Sequence, residues 1–143
     1  MAIGKNDLKN IMEYYDLRPS KSLGQNFVVD PNTILKIIRA ANIEKGEQIL
    51  EIGPGLGSLT SQLSVTSKVV AIELDRYLIP ALEEVLSHFG KRENVEIVQE
   101  DAMKIDWQEF FTQRQGVWKM VANLPYNIAT PLLVTLLENA PEI

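Results

Sequence analysis

The chain reads as an α/β protein: a doubly wound parallel sheet preceded by a helical N-terminal arm. Three observations predict this. Short apolar, β-branched runs over 48–53, 68–74, 95–99 and 118–123 alternate with helical patterns over 56–65, 77–89, 106–113 and 130–139. Strands separated by helices of that length pair in parallel through right-handed crossovers. A glycine-rich turn, Gly53-Pro54-Gly55-Leu56-Gly57, directly follows the first strand, at the edge where sheets of this kind bind ligands. The length of 143 residues, with 45% hydrophobic and 23% charged, suits one domain around one core. The natural division is an arm over 1–45 and a partial sheet domain over 46–143.

Composition excludes several classes. The chain has no cysteine and a single histidine, which leaves no disulfide framework, no thiolate metal site and little prospect of a histidine-based one. No apolar run approaches the roughly 20 residues of a membrane span. Residues 1–7 lack the apolar core of a signal peptide, so a cytoplasmic location is expected. The net charge of -5 does not favour a nucleic-acid partner. Its distribution is uneven: residues 1–45 carry seven Lys/Arg against five Asp/Glu, a balance of +2, and residues 46–143 carry seven against fourteen, a balance of -7. A basic arm suits contact with phosphates; a solvated surface with chance asymmetry is the plainer alternative.

Each element has a local reason. Residues 7–16 form a short amphipathic helix with Leu8, Ile11, Met12 and Tyr15 on one face. Residues 18–27 are a polar loop broken by Pro19 and Gly24. Asp30-Pro31 starts the next helix, a capping carboxylate followed by proline at the first helical position. That helix should run to about Asn42, burying Ile34, Leu35, Ile37 and Ile38. Gly46 ends the connection to the first strand. Gly90 stops the helix over 77–89, Asp106 caps the next, and Thr130-Pro131 starts the last. His88, on a polar helix end, should be solvated, and Trp107 and Trp118 should pack in the core. The helix over 130–139 should lead into a fifth parallel strand that this sequence does not contain, which leaves the fourth strand as an edge needing cover.

The glycine turn points to an adenosyl cofactor. Glycine permits positive φ and close backbone approach to a ligand, and the following helix offers amide groups. The dinucleotide fingerprint Gly-x-Gly-x-x-Gly would require a third glycine at residue 58, which is Ser. The spacing is instead Glu51-x-Gly53-x-Gly55-x-Gly57, the methyltransferase form, which suits a methionine moiety rather than a pyrophosphate. A plain tight turn is the competing explanation. Glu73 ends the second strand, 20 residues after Gly53, where a carboxylate can accept both hydroxyls of a ribose. Asp101 ends the third strand and could accept the amine of the cofactor's adenine, with Ala102 following it and Met103 packing on the ring. Alone, Asp101 would more often be a cap or turn residue. These residues lie at successive strand ends, a coincidence stronger than any one of them.

Asn123-Leu124-Pro125-Tyr126 follows the fourth strand. The exocyclic amine of adenine is a poor nucleophile because its lone pair is delocalised. The Asn123 side-chain oxygen and the Leu124 carbonyl can accept its two hydrogens, drawing the nitrogen toward a pyramidal form. Pro125 stiffens the turn, and Tyr126 offers a face on which a base can stack. The methyl group would then move by in-line displacement, with orientation and amine polarisation as the protein's contribution and no strong general base required. Away from this context an ordinary Asn-x-Pro turn would be preferred.

These residues, together with Lys21-Ser22-Leu23-Gly24-Gln25-Asn26-Phe27, resemble the small-subunit ribosomal RNA adenine N6,N6-dimethyltransferase family. Gly-Gln-Asn-Phe, Glu-Ile-Gly-Pro-Gly, Ile-Glu-Leu-Asp, Asp-Ala-Met and Asn-Leu-Pro-Tyr-Asn occur in the family's order and spacing, from about Arg18 to Pro131. The resemblance implies the Rossmann-like class I fold of S-adenosyl-L-methionine-dependent methyltransferases, here truncated after about four strands. It implies dimethylation of two adjacent adenosines near the 3′ end of small-subunit ribosomal RNA, within the immature subunit, during ribosome assembly. By matching position it makes Asn26, Val28, Gly53, Glu73, Asp101 and Asn123 cofactor contacts; Val28 stands where leucine is commoner. Gly55 and Ala102 complete the cofactor set, and no metal is expected. The family continues into further strands, a small helical domain that helps bind RNA, and an aromatic that helps hold the target base. Rival readings are the related large-subunit RNA adenine methyltransferase of antibiotic resistance, a non-catalytic assembly factor that uses the cofactor as a release signal, and a nicotinamide dehydrogenase. Gly-Pro-Gly and the Asn127 after Tyr126 favour the small-subunit enzyme over the first. Ser58, and the lack of a histidine placed for hydride transfer, weigh against the last.

Overall fold

A computed structural model gives the fold and describes residues 3–18 and 30–122. Among them are five α-helices, α1 (Lys5–Tyr14), α2 (Pro31–Ala41), α3 (Ser58–Leu63), α4 (Ile79–Phe89) and α5 (Trp107–Gln113), and four strands, β1 (Gln48–Ile52), β2 (Val69–Glu73), β3 (Val95–Gln99) and β4 (Trp118–Met120). The strand order is β3-β2-β1-β4, and every pairing is parallel. Chain direction therefore reverses its walk across the sheet at β1, so the crevice at the C-terminal end of β1 is the topological switch point.

The sheet is covered on both faces because its strands are apolar on both. Leu50, Ile52, Val70 and Ile72 face α5, whose Trp107, Phe110 and Phe111 pack with Trp118 and Ala102. Ile49, Val69 and Ala71 face the other way, against Ile34 of α2, Leu59 and Leu63 of α3, and Leu82 and Leu86 of α4. The aromatic cluster meets largely edge to face, with Phe110 and Phe111 at 5.0 Å between centroids and Phe111 and Trp118 at 5.4 Å, the arrangement ring quadrupoles favour. The Trp118 indole N–H donates to the Arg114 carbonyl at 2.8 Å. Both tryptophans are core residues and His88 is exposed, as expected.

The arm docks in two ways. The buried stripe of α2 comprises Ile34, Ile37, Ile38 and Ala41, the i, i+3, i+4, i+7 set that faces one side of a helix. Leu35 was expected in this stripe, but it lies one residue off it and is 47% exposed. Asp30 caps the helix by accepting the Asn32 amide hydrogen at 2.9 Å, and Asn42 ends it in the left-handed conformation at φ 46°. Helix α1 is held separately: Ile3 and Leu8 pack with Leu56, Leu78, Ala81 and Val85. Helix α4 is therefore buried on two sides, Leu82 and Leu86 toward the sheet and Ala81 and Val85 toward α1.

Several boundaries differ from expectation. Helix α1 starts two residues early, because Asp7 accepts the Gly4 amide hydrogen at 3.0 Å and satisfies the first turn. Helix α3 is shorter than 56–65, since Leu56 and Gly57 belong to the glycine turn. A 3-10 turn, Arg76–Leu78, precedes α4, capped by Asp75, whose side chain accepts from the Tyr77 amide at 2.9 Å. The helix expected over 130–139 lies outside the described residues.

Candidate functional site

Parallel register brings three strand ends together. Ile52 pairs with Ile72, and Glu73 pairs with Gln99, so the residues after β1, β2 and β3 share one edge. Gly53, Gly55, Glu73, Asp101 and Ala102 all lie there. Asn26, Val28, Asn123, Leu124, Pro125 and Tyr126 fall outside the described residues, although Val121 places the approach to Asn123 beside β1: its amide donates to the Leu50 carbonyl at 3.1 Å.

The turn after β1 is built from three left-handed glycines, Gly53, Gly55 and Gly57, with φ of 70°, 59° and 88°. The requirement is doubled at Gly57, where a Cβ would stand 2.6 Å from Cδ1 of Leu82. Its lack of a side chain lets α3 start against α4. At Gly53 the reverse holds: the residue is exposed, and among the described residues no heavy atom beyond its chain neighbours lies within 4 Å of where a Cβ would be. That open space leaves room for a ligand at the end of β1.

Glu73 is buried, at 5% exposure, which removes its reading as a simple strand-end charge. Oε1 accepts the Gly55 amide hydrogen at 3.1 Å and Oε2 accepts that of Asp75 at 2.9 Å. One carboxylate thus ties the glycine turn to the end of β2. Burial raises its pKa, and the two amide bonds pull against that rise. Each oxygen retains a second acceptor direction, so hydroxyl groups can be received without breaking either bond. Asp101 does serve as a cap: Oδ1 accepts the Met103 amide hydrogen at 2.9 Å, opening the 3-10 turn Ala102–Lys104. Ala102 is buried, while Met103 is 40% exposed and Leu74, after Glu73, is 52% exposed. Both apolar side chains sit on the ligand edge. Leu74 escaped sequence reasoning because a leucine beside a strand reads as core.

A second buried carboxylate underlies the turn. Glu51 is 2% exposed, and Oε1 accepts the hydroxyl hydrogen of Thr60, itself fully buried. Burial pushes the Glu51 carboxyl up to about 8, against the pull of the Thr60 hydroxyl, with the nearby Glu73 charge adding to the rise. Its sequence signal was an acid inside an otherwise apolar strand, Gln-Ile-Leu-Glu-Ile. Its partner Thr60, in the next helix, carried none. Among the described residues no group of histidine, cysteine or acidic side chains is arranged to hold a metal ion, and no helix is long and apolar enough to cross a membrane.

Open glycine backbone, a buried acceptor beside it and exposed apolar residues next to both fit a ligand with hydroxyl groups and a flat ring. Comparison with known proteins identifies the family. The family model described as ribosomal RNA adenine dimethylase matches residues 17–142. A ribosomal RNA small subunit methyltransferase A from Clostridioides difficile (strain 630) is 46% identical over 136 residues, covering 93% of this chain and 46% of that protein; the chain thus spans about half the length of such relatives. Among solved structures, a dimethyladenosine transferase from Plasmodium falciparum superposes with a TM-score of 0.61 at 32% identity, over 78% of this chain and 38% of that one. The 23S rRNA methyltransferase ErmE superposes with a TM-score of 0.66 at 31% identity, over 82% of this chain and 45% of that one. The Rossmann-like methyltransferase fold expected from the sequence is therefore the fold observed, and the chain belongs to the ribosomal RNA adenine dimethylase family.

Proposed function

We propose that this chain is the cofactor-binding and catalytic portion of an enzyme that methylates the exocyclic amine of adenosine in small-subunit ribosomal RNA. In the family's pattern it adds two methyl groups to each of two adjacent adenosines near the 3′ end, in the immature subunit in the cytoplasm. One observation carries the reading: the open glycine turn, Glu73 and Asp101 are aligned on contiguous parallel strand ends, with Asn123-Leu124-Pro125-Tyr126 next along the chain after β4.

S-adenosyl-L-methionine would supply an electrophilic methyl group on a sulfonium centre. Residues of the chain do the rest. Gly53 and Gly55 admit the methionine portion against bare backbone. Glu73 accepts the ribose hydroxyls, and the free oxygen of Asp101 accepts the adenine amine, with Ala102, Met103 and Leu74 against the ring. Asn26 and Val28 add contacts from the segment before α2. Asn123 and the Leu124 carbonyl take the two hydrogens of the target amine, Pro125 holds that carbonyl inward, and Tyr126 stacks on the base. Acceptors preorganised around the amine act without reorganisation when the nitrogen attacks. Residues 1–45 serve as an arm bracing the cofactor unit over 46–143.

Identity of 46% to a relative named as a small-subunit methyltransferase supports the small-subunit substrate. Calorimetric titration with S-adenosyl-L-methionine should give saturable binding, lost in Glu73→Ala. Transfer of labelled methyl groups to immature small subunits should fall on the order of 10²–10³-fold in Asn123→Ala, the loss typical when one preorganised polar contact is removed. Cofactor binding without any transfer by the unaltered chain would favour the assembly-factor alternative. Binding of a nicotinamide dinucleotide instead of the adenosyl cofactor would overturn the assignment.

A further inference from the structure

We infer that the outer face of α2, carrying Lys36 and Arg39, is a contact surface for the phosphate backbone of the RNA that delivers its base to the end of β4. The inference rests on the proposed RNA substrate and adds where that RNA is gripped. Three ion pairs join the described residues, Arg92–Glu83, Arg114–Glu96 and Lys119–Glu47, and all three cations belong to the sheet domain. Lys36 and Arg39 are exposed and enter none of them. Helix α2 contains no acidic residue within Pro31–Ala41; of the acids that flank it, Asp30 caps the Asn32 amide and Glu47 pairs with Lys119, while Glu44 is exposed beside Lys45. In a chain of net charge -5 this is a local cationic strip, with Asn32 one turn before Lys36 and Leu35 half exposed one turn before Arg39.

The position of the strip selects the partner. Ile34 shares its core cluster with Val121, two residues before Asn123. The Lys119 ammonium donates to the Ala41 carbonyl at 2.8 Å and the Asn42 carbonyl at 3.1 Å and meets Glu47 Oε1 at 3.2 Å. The helix is thereby fastened to the strand that enters the proposed catalytic loop. By contrast, the ends of β2 and β3 carry Asp75, Glu100 and Asp101, which disfavour a polyanion. RNA approaching Asn123 meets favourable charge on the α2 side and unfavourable charge on the β3 side.

The test uses a fluorescein-labelled transcript of the 3′-terminal hairpin of small-subunit ribosomal RNA, titrated with the chain across a series of salt concentrations. Lys36→Glu/Arg39→Glu should weaken binding and reduce the slope of log K against log salt by about 1.4–1.8, the counterions released by two phosphate contacts. Lys68→Glu/Lys91→Glu, the same charge change at the opposite end of the sheet, should leave the slope within error. The neutral pair Lys36→Gln/Arg39→Gln should lose the same slope as the reversed pair. Cofactor titration should be unchanged in every variant, so failure of the methyltransferase reading shows there and not in the RNA slopes. Equal slopes for the two charge-reversed pairs, or no salt-dependent RNA binding by the unaltered chain, would overturn the inference.

Discussion

Glu51 and Glu73 are two carboxylates in one strand-end crevice with different tasks. Glu73 is tied to two backbone amides and acts as a fixed acceptor. Glu51 accepts from the Thr60 hydroxyl, a neutral donor, and among the described residues no second donor reaches it, so burial dominates and its pKa rises to about 8. Such a group contributes stability that is complete below the ordinary carboxylate value of 4.5 and is lost as pH rises through about 8. Glu51→Gln keeps an acceptor for Thr60 and removes the charge. In urea denaturation its stability should match the unaltered chain below about pH 4, exceed it increasingly from about pH 5 to about pH 8, and keep a constant margin above that, on the scale of about 1.4 kcal/mol per pKa unit. Parallel curves would place the charged form at no disadvantage. Gly57 supplies a second test. Gly57→Ala forces an L residue to φ 88° and sets its Cβ 2.6 Å from Leu82. Together the strain and overlap should cost roughly 2–5 kcal/mol, read as a lower urea midpoint with an unchanged slope.

Among the elements, α2 depends on one side chain from a distant strand. Lys119 satisfies two carbonyls at the helix C-terminus and one carboxylate, a use of all three ammonium hydrogens. A cation there also complements the negative end of the helix. Lys119→Met retains much of the aliphatic stem and removes these bonds. It should destabilise the chain by about 1.5–3 kcal/mol, with faster amide hydrogen exchange concentrated in α2. Uniform loss of protection across α3 and β2 as well would mean that α2 is not a separate unit. Helix α3 makes a different point. Ser58, Thr60, Ser61 and Ser64 are buried, yet the Ser61 hydroxyl donates to the Ser58 carbonyl at 3.0 Å and that of Ser64 to the Ser61 carbonyl at 2.8 Å. Small hydroxyls satisfied by their own helix allow close approach: a Cβ at Gly90 would stand 3.0 Å from the Ser61 Cα.

As a whole, the molecule is a two-faced sheet with a separately attached first helix. Leu8, 2% exposed, anchors α1 to a cluster that includes Leu56 of the glycine turn and Leu78 at the start of α4. Leu8→Ala should cost roughly 2–5 kcal/mol and weaken cofactor affinity, since the same cluster backs the turn; calorimetry on the variant checks both. Much of this was legible in the sequence. Alternating apolar runs gave the strands and their parallel direction, capping residues such as Asp30 and Asp106 marked helix starts, and glycine and acid spacing placed Gly53, Gly55, Glu73 and Asp101 at strand ends, because each of these is a local rule with a residue-level signature. Other features had none. That Leu35 faces water while Ile34 is buried depends on which side of α2 meets the sheet. That Glu51 is neutralised by burial depends on Thr60 arriving from the next helix. That Lys119 seals the end of α2 depends on contact across 78 positions of chain. Periodicity and caps are written in neighbouring residues, so sequence alone carries them. Burial, pairing and charge state arise between segments that meet only in three dimensions, so they appear only once the sheet has assembled.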